Sequence, residues 1–382
     1  TNWFDQLTGV GIKQSYNIGI NYVKNKTKLY ASLSNDDNGS YIIGNRFVRN
    51  SARVNVDFNI TNKLIYNLGG SFTQSVNNRV DAAWSGGIGE AMSTALPYYP
   101  VYDTSGKYFM WNGGYSNPIA YREQRQWVNF EKRALTNHSL TCLINDHWSV
   151  RATGSLDYLD QVEMKYMPLG VNVGQTQDYA EKFPSWVTNW NSNGTVNYNR
   201  TYKKNHRVTF MAGSEVQKST TRGYSQVRYP GLASLPTAEE LDTDSITPQY
   251  GNAYSEVTTF ISFFGRFNYS IADKYYFQLV SRADASSKFG ANSRWGNFPS
   301  ASVGWIASEE NFLKDNKVIN FLKLRGSWGV TGNADIPRTA QYETWDQGSG
   351  GYFGNPIRFQ TQLGNPDLKW ETTRQFNAGV DM

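Results

Sequence analysis

Ala52-Arg53-Val54-Asn55-Val56-Asp57-Phe58-Asn59-Ile60, followed by Thr61-Asn62-Lys63 and then Leu64 to Thr73, is the stretch that decides the fold. Apolar Ala52, Val54, Val56, Phe58 and Ile60 alternate with polar Arg53, Asn55, Asp57 and Asn59. Beyond the interruption the alternation resumes, with Leu64, Tyr66, Leu68 and Phe72 against Asn67, Ser71 and Thr73. Successive side chains of a strand point to opposite faces, so a period of two around a turn reads as a long amphipathic hairpin. Each arm is about nine to eleven residues, the length a tilted strand needs to cross the hydrocarbon core of a bilayer. A single hairpin of this kind also occurs in soluble sandwiches. Repetition along the chain turns it into an architecture.

The pattern does repeat. Working outward, Tyr16, Ile18, Ile20 and Tyr22 alternate within Gln14–Val23, and Leu29, Ala31 and Leu33 follow a short turn at Lys24–Lys26. Further strands are predicted at Leu135–Ile144 and Trp148–Tyr158, at Asn193–Thr201 and Arg207–Val216, and at Val257–Ser270 and Tyr275–Arg282. Phe298–Ala307, Phe321–Val330 and Arg374–Met382 complete about thirteen strands, with one helical turn expected at Glu309–Leu313. The connections alternate. Short turns fall at Asn145-Asp146-His147, Tyr202–His206 and Ile271–Lys274, while Asn35–Ser51, Gln74–Arg133, Leu159–Asn191, Gln217–Glu256 and Thr331–Thr373 read as long irregular segments. In a meander, alternate connections lie at the same end. Segregated loop lengths are the asymmetry of an outer-membrane barrel, with short periplasmic turns and long extracellular loops. The expected fold is therefore an all-β, antiparallel up-and-down transmembrane β-barrel, partial in this chain.

Composition bounds the alternatives. The chain has 382 residues, 39% hydrophobic but 15% aromatic, which argues against disorder. No run of eighteen or more apolar residues exists, so no transmembrane helix is expected. The mean hydropathy of −0.58 does not exclude a membrane barrel, whose lumen and loops are polar. The net charge of +5 comes from scattered residues, without a basic block to serve as a nucleic-acid patch. Cys142 stands alone and reads as an apolar filler in a strand. Thr1-Asn2-Trp3-Phe4-Asp5 is not a signal peptide, and Asp381-Met382 falls inside a strand pattern, so a fragment of something longer is expected.

Candidate ligand residues lie in the long segments. Trp84, Tyr102, Trp111 and Tyr115 occupy Gln74–Arg133, and Trp186 and Trp190 occupy Leu159–Asn191. Aromatic faces beside amides stack on and hydrogen-bond to sugars or peptides, although the same residues equally pack a loop or form the girdle at a membrane interface. Asp36-Asp37-Asn38-Gly39 and Asp242-Thr243-Asp244 lack a full calcium ligand set and read as polar turns. His138, His147 and His206 lack metal-ligand spacing, and no phosphate loop, nucleophile elbow or triad is present. No metal, cofactor or enzymatic activity is expected.

Three stretches exceed generic barrel pattern. Arg282-Ala283-Asp284-Ala285-Ser286-Ser287-Lys288-Phe289-Gly290 runs on to Arg294-Trp295-Gly296, Phe298-Pro299-Ser300, Gly304-Trp305 and Ser308-Glu309-Glu310-Asn311-Phe312. Leu322-Lys323-Leu324-Arg325-Gly326-Ser327-Trp328-Gly329-Val330-Thr331-Gly332-Asn333 is the second, and Asn365-Pro366-Asp367-Leu368-Lys369-Trp370-Glu371 the third. In this order, and with Asn2-Trp3-Phe4-Asp5 ahead of them, they resemble the SusC/RagA-like TonB-dependent outer-membrane transporters. That resemblance implies a barrel of about twenty-two strands, a plug domain in its lumen, a TonB box that receives energy from the inner membrane, and a SusD-like lipoprotein over the mouth that captures glycans or peptides. It implies that residues 1–382 supply middle barrel strands, with plug, TonB box, first strand and closing strands outside the chain. The motif glycines, Gly290, Gly296, Gly326, Gly329 and Gly332, are expected to serve turns and close backbone approach, and Arg282, Asp284, Lys288 and Arg294 a charge network at the rim.

The leading expectation is thus active import of an oligomeric nutrient, a glycan ahead of a peptide, across the outer membrane. A passive porin-like channel and a soluble carbohydrate-binding β-protein are the alternatives.

Overall fold

The computed structural model describes every residue except 81–88, 90–92, 111–116, 169–170, 172–178, 229–249, 315–317 and 353–354. A short helix α1 (Trp3–Leu7) precedes strands β1 (Lys13–Lys24), β2 (Thr27–Gly39), β3 (Arg46–Asn59) and β4 (Leu64–Asn78). Helix α2 (Pro118–Gln124) leads into β5 (Gln126–Leu143), β6 (Trp148–Met167), β7 (Tyr179–Tyr202), β8 (His206–Arg228) and β9 (Tyr250–Ile271). Then come β10 (Tyr275–Ser286), β11 (Trp295–Ile306), β12 (Lys323–Asn333), a hairpin β13 (Thr344–Tyr352) and β14 (Asn355–Gln362), and β15 (Glu371–Asp381). Strands β1 to β12 and β15 form one 13-stranded antiparallel sheet in sequential order, and β13–β14 is a separate two-stranded sheet. The thirteen expected strands are the thirteen of the meander. The hairpin inside 331–373 was not foreseen.

The register sorts every strand into two faces. One rung runs Asp57, Asn67, Ser139, Thr153, Asn193, Glu215, Ser262, Asp284 from β3 to β10. The neighbouring rung, one residue along each strand, runs Val56, Leu68, His138, Gly154, Ser192, Val216, Ile261, Ala285. Strand geometry places these two rungs on opposite faces of the sheet, one polar and one largely apolar. On the apolar face Trp148 and Tyr158 bracket Val150, Ala152 and Leu156 of β6. They stand ~33 Å apart along the strand, or ~25 Å in height at a 40° tilt, which is the height of the apolar band of a membrane barrel. Large apolar side chains that a soluble protein would bury are exposed here: Ile18 at 68%, Leu279 at 57%, Phe263 at 55%.

The short turns have local causes. Asn25, Lys203, Lys204, Ala272 and Asp273 adopt left-handed conformations with φ between 46° and 62°, as tight hairpin turns demand. Elsewhere a side chain closes the turn: Thr61 Oγ1 accepts from Lys63 N and Leu64 N (3.1 and 3.0 Å), and Asn145 Oδ1 from His147 N and Trp148 N (2.9 Å each). The connection from β11 to β12 departs from the alternation. It carries a 3₁₀ turn at Ala307–Glu309, with Leu313 N and Lys314 N donating to the Glu310 carbonyl, where one helical turn at Glu309–Leu313 was expected.

The strands outrun their apolar alternation. β7 has 24 residues and β8 has 23, and β2 and β3 extend through most of 35–51. Much of what reads as irregular in 159–191 and 217–256, and both ends of 74–133, is therefore strand, because ladder hydrogen bonds persist where the side chains have become polar. Asp36 and Asp37, taken as turn residues, are strand residues paired with Arg49 (2.9 Å) and Arg46. Asp242-Thr243-Asp244 lies outside the described residues.

Candidate functional site

At the long-connection end, the segment after β4 folds onto the N-terminus. Trp3, Leu7, Ala95 and Ile119 form a small core, with Tyr99, Val101, Tyr108 and Phe109 packed against it. Asn117, fully buried, organises the segment. Its Oδ1 accepts from Ile119 N and Ala120 N, capping α2, while its Nδ2 donates to the carbonyls of Val101 (2.9 Å) and Phe109 (3.0 Å). Trp3 Nε1 donates to the Leu96 carbonyl at 3.1 Å and Arg122 to that of Gln6 at 2.6 Å. This core holds a tyrosine group at the surface. Tyr102 is 49% exposed and its ring lies 5.2 Å from that of Tyr108. The Tyr108 hydroxyl donates to Glu123, and that bond raises the tyrosine's pKa well above its ordinary value.

Below this group the polar face carries linked clusters. Trp127, at the start of β5, has Arg79, Arg125 and Lys165 within 5.1 to 5.4 Å of its ring centre. Its Nε1 donates to Glu163 at 2.7 Å, and Glu163 and Glu181 pair with Lys165. Its ring is bordered by cations and is a scaffold for charge. Further along, Asn67 donates to Asp57 at 2.7 Å, and Arg151 reaches Ser139 at 3.2 Å. A concavity of about 530 Å³ opens there against Asn55, Asn137, Thr153, Asn191 and Asn193. Arg282 joins Asp284 (2.7 Å), Glu215 (3.2 Å) and Ser262 (2.9 Å) over the ring of Phe264. Amide and hydroxyl groups facing one cavity can exchange hydrogen bonds with a polar oligomer while leaving no fixed reactive centre. Among the described residues no group of three or more His, Cys, Asp or Glu side chains is placed to hold a metal ion.

The expected ligand residues divide. Trp84, Trp111 and Tyr115 lie outside the described residues. Tyr102 is where the loop reading put it. Trp186 and Trp190 belong to β7, not to a loop, and pair with Arg222 and Lys218 of β8. By alternation they share the apolar face with Val196 and Tyr198, and Trp186 lies 6.0 Å from Tyr224. The expected charge network is also partial: Arg282 and Asp284 pair, but Lys288 Nζ reaches the Ala334 carbonyl and Arg294 offers its own carbonyl to Trp370. The polar rung was legible in principle as the odd-numbered positions of β3 to β7, but reading it required the register.

An apolar outer band, a polar inner wall, short turns at one end and long connections at the other define a piece of outer-membrane β-barrel wall. The family model described as TonB dependent receptor-like, beta-barrel, matches residues 87–382, and the chain belongs to that family. The chain is 27% identical over 99% of its length to TonB-dependent receptor P39 of Formosa agariphila, covering 36% of that protein. It is 27% identical over its whole length to TonB-dependent receptor SusC of Bacteroides thetaiotaomicron, covering 40%. The structure of the RagAB peptide transporter superposes with a TM-score of 0.84 at 19% identity, over 99% of this chain and 43% of that one. The ferric enterobactin receptor PfeA of Pseudomonas aeruginosa gives 0.57 at 12% identity, over 97% of this chain and 48% of that one. The family places the chain in the outer membrane. The soluble reading falls with the exposed apolar band. The chain spans about two fifths of the length of these relatives. Its family comprises receptors and transporters.

Proposed function

We propose that the intact protein carrying this chain imports an oligomeric nutrient, a glycan ahead of a peptide, across the outer membrane, with residues 1–382 as part of the barrel wall. The observation that carries the reading is the unbroken polar rung from Asp57 to Asp284, which lines one face of eight consecutive strands with hydrogen-bonding groups. A wall of this kind suits a hydroxyl- or amide-rich solute in transit. The reading takes in the machinery that the resemblance implies: a plug in the lumen, TonB as the source of force and a SusD-like lipoprotein at the mouth, with no bond made or broken in the cargo. The likeness to the RagAB peptide transporter supports a peptide cargo as the second reading.

Tyr102, with Trp84, Trp111 and Tyr115 of the same segment, would offer stacking faces to cargo. Trp186 and Trp190, set on the apolar face of β7, are reassigned to the membrane interface. The test is uptake of fluorescently labelled oligosaccharides and peptides by cells with and without the intact gene, in the presence and absence of a protonophore. Uptake that needs both the gene and the proton-motive force is expected. Uptake indifferent to the protonophore would make the protein a passive channel, and no gene-dependent uptake of either class would overturn the reading.

A further inference from the structure

Cations stand on both faces of this barrel wall, and the ones that matter here are those beside the apolar band. On the polar face several are paired: Arg133 with Asp157, Arg282 with Asp284 and Glu215, Lys165 with Glu163 and Glu181. On the apolar face of β8 two stand together without such a partner. Lys218 and Arg222 have the parity of Phe210, Ala212 and Val216, and neither has an ion pair among the described residues. Lys218 faces Trp190 on β7 and Thr259 on β9, and Arg222 faces Trp186 and Ser255. The acidic group nearest in the register on this face is Asp160 of β6, across β7 from Arg222 and itself opposite Lys132 of β5.

Their height is informative. Lys218 lies ~26 Å along β8 beyond Phe210, which is ~20 Å in height at a 40° tilt, and Arg222 lies ~10 Å higher. The two thus straddle the outer edge of the apolar band, Lys218 ~5 Å inside it and Arg222 ~5 Å beyond it, on the side of the long connections. Trp190 is 39% exposed and Arg222 is exposed. Indoles settle at the boundary between hydrocarbon and headgroups, and the cations beside them reach into the headgroup layer. A lone cation needs no partner in water. Two of them four residues apart, each beside a tryptophan and continuous with lipid-covered surface, present charge and apolar contact to the same neighbour.

We propose that Lys218 and Arg222, with Trp186 and Trp190, form a binding site for the phosphate-bearing headgroup of an outer-leaflet glycolipid. The cations take the phosphates, the indoles cover the adjoining sugar and acyl junction, and the band below accommodates the chains. The proposal rests on the outer-membrane placement of the barrel and is independent of what the barrel imports.

The test uses the intact protein in detergent, titrated with hexa-acyl lipid A bearing its phosphates and with enzymatically dephosphorylated lipid A. Lys218→Ala/Arg222→Ala is expected to bind phosphorylated lipid A about tenfold or more weakly than wild type, given roughly a kilocalorie per basic residue at a charged lipid surface. Both proteins should bind the dephosphorylated form equally. Lys218→Arg/Arg222→Lys should keep wild-type affinity, and so should Lys203→Asn/Lys204→Asn at the opposite end of β7. Equal affinity of wild type and the alanine variant, or indifference to the phosphates, would overturn the proposal. So would an equal loss in the charge-conserving variant, which would make the effect one of packing. Complete displacement of lipid A by millimolar inorganic phosphate would overturn the lipid assignment.

Discussion

The rings of Phe289 and Trp370 stand 4.6 Å apart between centroids, and through them two of the three family motifs hold each other. Phe289, in the β10–β11 connection, is fully buried, and Trp370, just before β15, is 9% exposed. The contact is reinforced by backbone: Gly290 N donates to the Leu368 carbonyl (3.1 Å), Asn292 N to that of Pro366 (3.3 Å), and Trp370 Nε1 to that of Arg294 (2.9 Å). Motifs about eighty residues apart in sequence are thus one structural unit at the rim.

Removing either ring opens a cavity where little can collapse. Phe289→Ala and Trp370→Ala are each expected to cost about 3–5 kcal/mol. The double variant should cost less than the sum, because the residues share one contact. Heat-modifiable gel migration of the intact protein across a temperature series measures this. Additive shifts would mean that the rings do not act together.

Gly290 permits the approach. A Cβ at that position would lie 1.9 Å from the Pro366 carbonyl oxygen, a backbone atom that cannot swing away. Gly290→Ala should therefore displace the 365–370 segment and destabilise the barrel by about 1–3 kcal/mol. Gly326→Ala, whose Cβ would meet nothing closer than a Val303 methyl at 3.8 Å, should stay within about 1 kcal/mol of wild type. The same thermal series separates the two. Equal effects would place the cost in backbone entropy, away from the clash.

A pH dependence follows from Glu310, on the short-turn side of the barrel. Its carboxylate accepts from Tyr275 Oη (2.6 Å) and Trp305 Nε1 (3.3 Å) and pairs with Lys274 (3.5 Å). The Tyr275 hydrogen bond foremost, then that of Trp305, holds its pKa below the ordinary value. A depressed folded pKa means stabilisation that is present above the unfolded value of about 4.3 and is lost as the pH falls through the folded one. Glu310→Gln should lower the thermal midpoint at pH 7 and converge with wild type in acid below that window. A difference between the two that persists unchanged down to the most acidic point would rule the carboxylate's charge out as the cause.

How much of this was legible depends on which force each residue answers to. The thirteen strands and the segregated turns could be read because burial against lipid imposes a strict period of two, as at Tyr16 to Tyr22. Strand ends could not, because Gln217 to Arg228 are held by ladder hydrogen bonds that leave no period in side-chain polarity. Helices α1 and α2 escaped for a related reason. They are too short for a helical period and are fixed by caps, the Asn2 side chain on Asp5 N and that of Asn117 on Ile119 N. The places of the candidate residues in the fold were only partly legible. Tyr102 could be found as an aromatic in a long connection, whereas Trp186 and Trp190 looked alike in sequence and differ only by lying in register with a membrane-facing rung.

The assignment of faces makes its strongest demand at adjacent residues. Val54 pairs with Ala31 and Gly70 on the apolar rung, and Asn55, the next residue of β3, pairs with Tyr30 and Gly69 on the polar one. Arginine at Val54 would put a charge near the middle of the hydrocarbon band, at about 2–4 kcal/mol. Arginine at Asn55, which is exposed on the polar face, would meet water and hydrogen-bonding partners and should cost less than about 1 kcal/mol. Urea-dependent folding of the intact protein into vesicles distinguishes the two substitutions. If Asn55→Arg were the more damaging, the lumen and lipid faces would have to be exchanged for every strand of the 13-stranded sheet, since the register ties them all to β3.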